Sequence, residues 1–255
     1  MSDTRFVVAG GHKLEYAWHG RGHRDRAAIV MLHEGLGSVA LWRDFPQRLA
    51  AASERRVLAY SRYGYGRSDA LGEPRRIDFM HAEALSALPE LLDALEIRRP
   101  VLFGHSDGGS IALIHAARAG RPTSAVVALA PHVFVEAYGL ESIRESRRAY
   151  LETDLRRRLA RHHADVESAF WGWNDIWLHP DFESWNIEPM LSAIDCPVLG
   201  IQGTDDQYGT MAQLDRIERR VRDFRRLELR DCGHSPQRDQ PEAVLAATSA
   251  FLRDM

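Results

Sequence analysis

A serine, an aspartate and a histidine each follow a predicted strand, and together they could carry out nucleophilic chemistry. Ser106 lies in the sequence Gly-His-Ser-Asp-Gly at 104–108, between an apolar strand and a helix rich in small residues. A strand, a sharp turn and a helix present a serine hydroxyl at the edge of a sheet, and the glycines permit the close approach that the turn requires. A hydroxyl is a poor nucleophile until an oriented base removes its proton. Ser106 is therefore the candidate nucleophile.

The acid and the base that such a nucleophile needs follow later in the chain. Asp205 and Asp206 come after the strand predicted at 198–203, and His234 comes after the last predicted strand. Either aspartate can orient a histidine, whereas Asp231 is too close to His234 in sequence to fold back onto it. We interpret most other histidines as solvent-exposed or helix-terminal, including His105, His115, His162, His163 and His179.

Acyl chemistry also needs amide donors for the oxyanion, and each is typically worth about 3–4 kcal/mol. One candidate is the backbone N–H of Asp107, at the start of the helix. The second is expected in the loop 32–38, where we choose Gly35 and keep Leu36 as the alternative. A simpler interpretation of this loop is a turn that only connects a strand to a helix.

The elements that must position these residues alternate between strands and helices. Strands are predicted at 6–8, 14–19, 27–32, 56–60, 101–104, 125–130, 198–203 and 226–230. Helices are predicted at 40–53, with Ser38 as its cap, and at 78–95, 108–119, 211–222 and 241–253. Several of the strands are continuous apolar runs, as in parallel strands covered on both faces. The pattern predicts an α/β fold with a mostly parallel, doubly wound sheet of about eight strands.

The segment 132–187 interrupts this alternation, because it contains helical patterns and no convincing strand. We expect it to be an all-helical cap, inserted between two parts of the core at 1–131 and 188–255. Four of the six tryptophans fall in it: Trp171, Trp173, Trp177 and Trp185. They could form the core of the cap, but ligand pockets are lined mainly by apolar and aromatic side chains. The candidate substrate-binding residues are Asp107, His132, Trp171, Trp177 and Tyr208.

Composition limits the class of protein. The chain has 255 residues, of which 45% are hydrophobic and 27% charged, and its formal net charge is −3. These values are typical of one globular domain. No apolar run reaches the roughly 18 residues of a membrane span, and acidic residues alternate with the arginines, so we expect no membrane or nucleic-acid partner. The N-terminus has no secretory pattern and Cys196 and Cys232 are expected to be buried thiols, which favours a cytoplasmic protein.

Five motifs, in this order, resemble the α/β-hydrolase fold superfamily over essentially the whole chain. They are Leu-His-x-x-x-Gly-Ser at 32–38, Ser-Arg-Tyr-Gly-Tyr-Gly-Arg-Ser at 61–68, the serine motif, Gly-x-x-Asp at 203–206 and Gly-His at 233–234. Within the superfamily, Gly-His-Ser-Asp-Gly-Gly at 104–109 is similar to the biphenyl-hydrolase-like branch, which includes amino-acid ester hydrolases. The resemblance implies a cap that contributes to substrate selection. It also implies these roles: Ser106 as nucleophile, Asp206 as acid, His234 as base, and Gly35 and Asp107 as amide donors.

Two features of the motifs need separate interpretation. Glu34 stands where the family usually has a glycine, and it is either a surface residue or one that meets the substrate. Asp107 carries a carboxylate beside the nucleophile, and it either binds an amine of the substrate or caps the helix. A serine at the elbow, instead of the aspartate of dehalogenase and epoxide-hydrolase relatives, implies acyl chemistry.

The predicted function is hydrolysis of a small carboxylic ester or lactone through an acyl-enzyme, with no metal or organic cofactor. Two alternatives stay open. One is hydrolysis of a carbon–carbon bond in a ring-cleavage diketone, and the other is a small-molecule receptor that retains the triad. The oligomeric state is open as well, and a homodimer is compatible with the sequence.

Overall fold

We describe the protein from a computed structural model, which covers residues 4–23, 25–253 and 255. Its strands are β1 (Arg5–Ala9), β2 (His12–His19), β3 (Ile29–Leu32), β4 (Val57–Tyr60), β5 (Val101–His105), β6 (Ala125–Leu129), β7 (Val198–Gly203) and β8 (Phe224–Leu229). They form one sheet in the order β1-β2-β4-β3-β5-β6-β7-β8. β2 is antiparallel to both β1 and β4, and the other neighbouring strands are parallel. The expected α/β fold with a mostly parallel sheet of eight strands is confirmed.

The central strands are continuous apolar runs because both of their faces are covered. Every residue of β3, β4, β5 and β6 is buried. A strand buried on both faces has no need for polar residues at alternate positions. At one edge of the sheet, β1 and β2 form the expected hairpin, and Gly10 and Gly11 make its turn with φ angles of 60° and 76°.

The α-helices are α1 (Phe45–Ser53), α2 (Phe79–Ala82), α3 (Leu88–Ala94), α4 (Asp107–Arg118), α5 (Ala137–Glu152), α6 (Leu155–Leu159), α7 (Val166–Trp177), α8 (Ala212–Glu218), α9 (Pro236–Asp239) and α10 (Pro241–Leu252). α4 lies directly after β5, and it packs against β3, β5 and β6. The small residues of α4 allow this close packing. The position of the candidate nucleophile therefore follows from the junction of β5 and α4.

The prediction of a helix at 40–53 is wrong for the first half of that segment. A 3₁₀ turn spans Val39–Trp42, Arg43 has a positive φ of 54°, and only then does α1 begin. Pro46 explains the break, because proline has no N–H to donate inside a helix but is accepted in its first turn. The side chain of Ser38 makes no capping hydrogen bond.

The helix predicted at 78–95 is continuous but not uniform. Between α2 and α3 the residues Glu83–Ala87 form a π-helical segment. Pro89, in the first turn of α3, cannot donate to the preceding turn, and a wider turn accommodates that missing bond. The helix predicted at 211–222 is also shorter than expected, because α8 ends at Glu218.

The segment 132–187, which the structure describes throughout, contains no strand. It consists of α5, α6 and α7, a 3₁₀ turn at Pro180–Ser184, and one isolated bridge between Phe134 and Asn186. We call it the helical insertion. α5 packs on α7, and the apolar side of α7 buries Phe170, Trp173 and Trp177.

Three further features of the described residues bear on function. Cys196 and Cys232 are buried free thiols, as expected. None of the described helices combines the length and the apolar character needed to cross a membrane. Nor does the described chain bring together three or more His, Cys, Asp or Glu side chains that could hold a metal ion.

Candidate active site

Ser106 lies in a strained turn between β5 and α4. Its φ and ψ are 53° and −120°, a conformation that non-glycine residues rarely adopt. A Cβ at Gly104 would lie 2.1 Å from the carbonyl oxygen of Gly108, and one at Gly108 would lie 2.1 Å from that of Leu32. Both positions therefore require glycine, because Gly104 is pressed against the start of α4 and Gly108 against the end of β3. The N-terminus of α4 points at the site, where its dipole favours negative charge.

The structure brings Ser106, Asp206 and His234 into one hydrogen-bonded chain. Nε2 of His234 is 2.9 Å from Oγ of Ser106. Nδ1 of His234 lies 2.8 Å from Oδ1 and 2.9 Å from Oδ2 of Asp206. A carboxylate can only accept, so Nδ1 carries the proton and Nε2 is free to accept the serine proton. This is the arrangement that a serine nucleophile requires.

The two candidate aspartates lie in different surroundings. Asp206 is buried, and it also accepts hydrogen bonds from the amides of Tyr208 at 2.8 Å and Gly209 at 3.2 Å. Burial by itself would raise the pKa of Asp206, but His234 and the amide donors outweigh it and hold the pKa below its usual value. Asp205 is exposed, and its carboxylate accepts only from Thr204. Asp206 is thus the group that stays ionised beneath the histidine.

The expectation for several other histidines is wrong, because they are buried and hydrogen-bonded. His105 donates from Nε2 to the carbonyl of His234 at 2.6 Å, and its Nδ1 lies 3.0 Å from Nε2 of Gln237. His163 accepts from the amide of Gly66 and donates to the carbonyl of Leu36. His115 is helix-terminal, as expected, since it lies in the last turn of α4, but it is buried. Backbone groups distant in sequence are their partners, and no local pattern shows them.

Ser106 and His234 line a cavity of about 250 Å³ beneath the helical insertion. Of the candidate substrate-binding residues, Asp107, His132, Trp177 and Tyr208 line it, but Trp171 does not. Trp173 lines it instead, because residues 173 and 177 are four apart on α7 and share one face. Trp171 lies on another face, where its Nε1 donates to Glu167. Helical spacing alone could have selected Trp173 as the partner of Trp177.

The amides proposed for the oxyanion also line this cavity. The backbone N–H groups of Gly35, Leu36 and Asp107 donate to no other group in the described ranges of the chain. Trp173 covers Gly35 closely, since a Cβ there would lie 2.1 Å from the indole Nε1. A side chain at position 35 would therefore displace the tryptophan.

Comparison with known proteins identifies the family to which the chain belongs. Residues 29–247 match the model of the alpha/beta hydrolase family. The chain is an α/β-hydrolase. The match spans the sheet from β3 onwards, the nucleophile turn, the helical insertion and both loops that carry Asp206 and His234.

Three curated relatives of this α/β-hydrolase are named for different activities. The putative carbamate hydrolase RutD of Stutzerimonas stutzeri (strain A1501) is 39% identical over 102 residues, which are 39% of this chain and 36% of that relative. The non-heme chloroperoxidase of Streptomyces lividans is 31% identical over 221 residues, 73% of this chain and 76% of the relative. The 2-hydroxy-6-oxo-6-phenylhexa-2,4-dienoate hydrolase of Comamonas testosteroni is 23% identical over 253 residues, 89% of this chain and 87% of the relative.

Among solved structures, the enol-lactonase from Burkholderia xenovorans LB400 superimposes with a TM-score of 0.77. The identity is 23%, and the superposition covers 98% of this chain and 100% of the lactonase. At this identity the likeness shows the fold. The family match and the named relatives show that the protein is a hydrolytic enzyme.

Glu34 of this α/β-hydrolase is not a simple surface residue. Its side chain is 30% exposed, and its Oε2 lies 3.4 Å from Nδ1 of His105. The residue lines both this cavity and a neighbouring one. Burial would raise the pKa of Glu34, but His105 and His33 outweigh it and lower the pKa to about 2. Glu34 is therefore ionised above pH 5, at the boundary of this cavity.

Asp107 presents no carboxylate to the cavity. The residue is fully buried, Oδ1 accepts from Nε1 of Trp177 at 3.1 Å, and Oδ2 lies 3.8 Å from Nη2 of Arg62. It does not accept from a helix amide either. Neither interpretation of this carboxylate, an amine ligand or a helix cap, matches the structure. Burial raises its pKa, and Arg62 is the largest of the groups that oppose the rise.

We expect kcat/KM to rise with pH, and the rising limb of the pH–rate profile should reflect the loss of one proton. His234 must be neutral to accept the proton of Ser106. Burial lowers the pKa of His132 to about 3, so this neighbouring imidazole stays neutral above pH 5, and Glu34 stays ionised. Steady-state rates between pH 5 and 9 test this, with His132→Asn as the control that leaves the limb in place. A limb steeper than one proton, or one abolished in His132→Asn, would contradict it.

Proposed function

We propose that the protein hydrolyses a small carboxylic ester or lactone through an acyl-enzyme on Ser106. The observation that carries this proposal is the hydrogen-bonded chain from Ser106 through His234 to Asp206. Oγ of Ser106 attacks the acyl carbon while Nε2 of His234 takes its proton. The tetrahedral oxyanion accepts from the amides of Asp107 and Gly35, and protonated His234 then gives the proton to the leaving alkoxide. Water, activated by the same imidazole, releases the acid.

The size and lining of the cavity support a small substrate of low polarity. Ligand pockets usually have volumes of about 300–1,000 Å³, and this one is about 250 Å³. Ile143 from α5 and Trp173 and Trp177 from α7 contribute its apolar wall. We propose on this basis that the helical insertion, residues 132–187, acts as the cap that selects the acyl or alcohol group.

The charge of the cavity favours an ester over a ring-cleavage diketone. The Comamonas relative is named for a dienoate, which carries a carboxylate. Within the described chain, neither lysine nor arginine lines this cavity, whereas Glu34 and Glu136 do. A carboxylate in the substrate would have no cationic partner and would face a fixed negative charge. The receptor alternative gains no support from relatives that are named as enzymes.

We therefore expect discrimination by charge among three p-nitrophenyl esters of similar shape: the butyrate, the hemisuccinate and the β-alanine ester. The anionic hemisuccinate should have a kcat/KM about 10- to 100-fold below that of the neutral butyrate, because Glu34 repels it. Release of p-nitrophenol measures all three rates, corrected for uncatalysed hydrolysis. No turnover of any of them, or of a lactone, would refute the proposed function.

Glu34→Gln identifies the source of this discrimination. The change keeps the shape of the side chain and removes its charge, so the ratio of butyrate to hemisuccinate rates should fall about tenfold. Glu141→Gln is the matched control, because Glu141 is an exposed residue of α5 paired with Arg144. A ratio that is the same in wild type and Glu34→Gln would mean that Glu34 does not face the substrate.

A further inference from the structure

We propose that the buried Arg62 is a positioning residue that holds the oxyanion loop in its working conformation. Arg62 follows β4 and is 1% exposed. This inference rests on the proposed function, because it concerns the amide that would receive the oxyanion. Arg62 lines no part of the cavity and touches no substrate, so its effect must pass through the loop that follows β3.

The guanidinium is bonded to the carbonyls of that loop. Nη2 of Arg62 donates to the carbonyl oxygen of Glu34 at 2.9 Å and to that of His33 at 3.2 Å. The backbone amide of Arg62 donates to Nε2 of His33 at 3.0 Å. His33 therefore carries its proton on Nδ1, which donates to the same Glu34 carbonyl at 2.6 Å. Both side chains thus hold one carbonyl group, which also accepts from the backbone amide of Gly37 at 3.1 Å.

That carbonyl belongs to the peptide whose N–H is the proposed oxyanion donor. The peptide between Glu34 and Gly35 is planar and trans, since the described chain contains no cis bond. In such a peptide the N–H points away from the C=O. Arg62 and His33 hold this carbonyl oxygen on the side of the loop that faces the protein interior. The N–H of Gly35 therefore points to the other side of the loop. This geometry favours Gly35 over Leu36 as the donor.

The charge on Arg62 also strengthens this donor. A cation bonded to a carbonyl oxygen draws electron density through the peptide, which makes its N–H a better donor. The guanidinium is buried, so water screens it little. Its counter-ion is the carboxylate of Asp107, 3.8 Å away. Asp107 supplies the other proposed amide, and one buried ion pair therefore links the two sides of the oxyanion site.

The test compares Arg62→Met with Arg75→Met. Arg75 is a matched control for two reasons. The guanidinium groups of Arg62 and Arg75 lie 4.9 and 4.8 Å from the centre of the Tyr65 ring. Arg75, like Arg62, donates to a backbone carbonyl, in its case that of Tyr63. Arg62→Met should lower kcat for p-nitrophenyl butyrate about 100-fold, the scale of one lost oxyanion donor, with KM changed less than threefold. Arg75→Met should change kcat less than threefold. Equal effects of the two variants would overturn the proposal.

A second variant separates positioning from charge balance. If Arg62 served only to neutralise Asp107, the double variant Arg62→Met/Asp107→Asn would regain the kcat of Asp107→Asn. If Arg62 positions the loop, the double variant stays about 100-fold below Asp107→Asn. If Arg62→Met does not fold, Arg62→Lys is the alternative variant. It keeps the positive charge but replaces the forked guanidinium group with a single ammonium group, and kcat should fall about tenfold.

The rate at which a p-nitrophenyl phosphonate labels Ser106 provides a readout that needs no ester turnover. The phosphoryl oxygen occupies the place of the oxyanion, so labelling should slow about 100-fold in Arg62→Met and stay unchanged in Arg75→Met. Labelling at the wild-type rate in folded Arg62→Met would refute this inference. Absence of ester and lactone turnover in the wild type would instead refute the proposed function.

Discussion

Replacing Ser106 with alanine is expected to lower kcat/KM at least about 10⁴-fold, because it removes the hydroxyl that is bonded to His234 and that would form the acyl-enzyme. His234 and Asp206 would remain bonded to each other, but the imidazole would have no hydroxyl to activate. Hydrolysis of p-nitrophenyl butyrate measures the loss, and mass spectrometry measures phosphonate labelling, which should disappear. The amides that remain would support only the small residual rate that binding and charge stabilisation supply.

Ser124→Ala is the control for this change. Ser124 precedes β6, at the edge of the sheet opposite the nucleophile, and its hydroxyl donates to the carbonyl of Arg99. Its replacement should leave kcat/KM within about twofold of the wild type, since surface substitutions away from special features have small effects. Activity of Ser106→Ala close to that of Ser124→Ala would show that another residue is the nucleophile.

Replacing Asp206 with asparagine is expected to lower kcat about 10⁴-fold. The amide group would donate to Nδ1 of His234, which would force the imidazole proton onto Nε2. That nitrogen could then no longer accept the proton of Ser106. The shape of the site would be kept, so the melting temperature should change little while the rate collapses. Steady-state kinetics and thermal unfolding of the same preparation measure the two quantities.

Asp205→Asn is the matched control, because it makes the same chemical change one residue away. Asp205 is exposed and makes no contact with His234. Its replacement should leave kcat within about threefold of the wild type. Comparable losses in the two variants would exclude the assignment of Asp206 as the residue that orients the histidine.

Much of this site could be predicted from the sequence, for a topological reason. The carboxyl ends of parallel strands meet at one edge of a sheet, so residues just after three such strands converge there. Ser106, Asp206 and His234 follow β5, β7 and β8, and the structure brings them to hydrogen-bonding distance. The turn at Ser106 was also predictable, because glycines on either side permit a contact that any Cβ would prevent.

Other features depend on neighbours that are distant in sequence, and so they could not be predicted. The family resemblance indicated Asp206, but the residues alone left Asp205 open, because the choice depends on which carboxylate is buried beneath His234. Helical spacing groups Trp173 with Trp177, but only the structure shows that this face of α7 is turned to the cavity. His105 and His163 were interpreted as solvent-exposed or helix-terminal, but they form hydrogen bonds with backbone groups 129 and 127 residues away.

The sequence by itself determined the order of strands and helices, the nucleophile turn and the edge of the sheet at which the chemistry takes place. These depend on local backbone preferences and on apolar patterning, which are properties of short segments. Only the tertiary structure decided that Glu34 lines the cavity and that Asp107 forms an ion pair with Arg62. The charge that a substrate meets is a sum over side chains from separate segments, and burial sets how strongly each one acts.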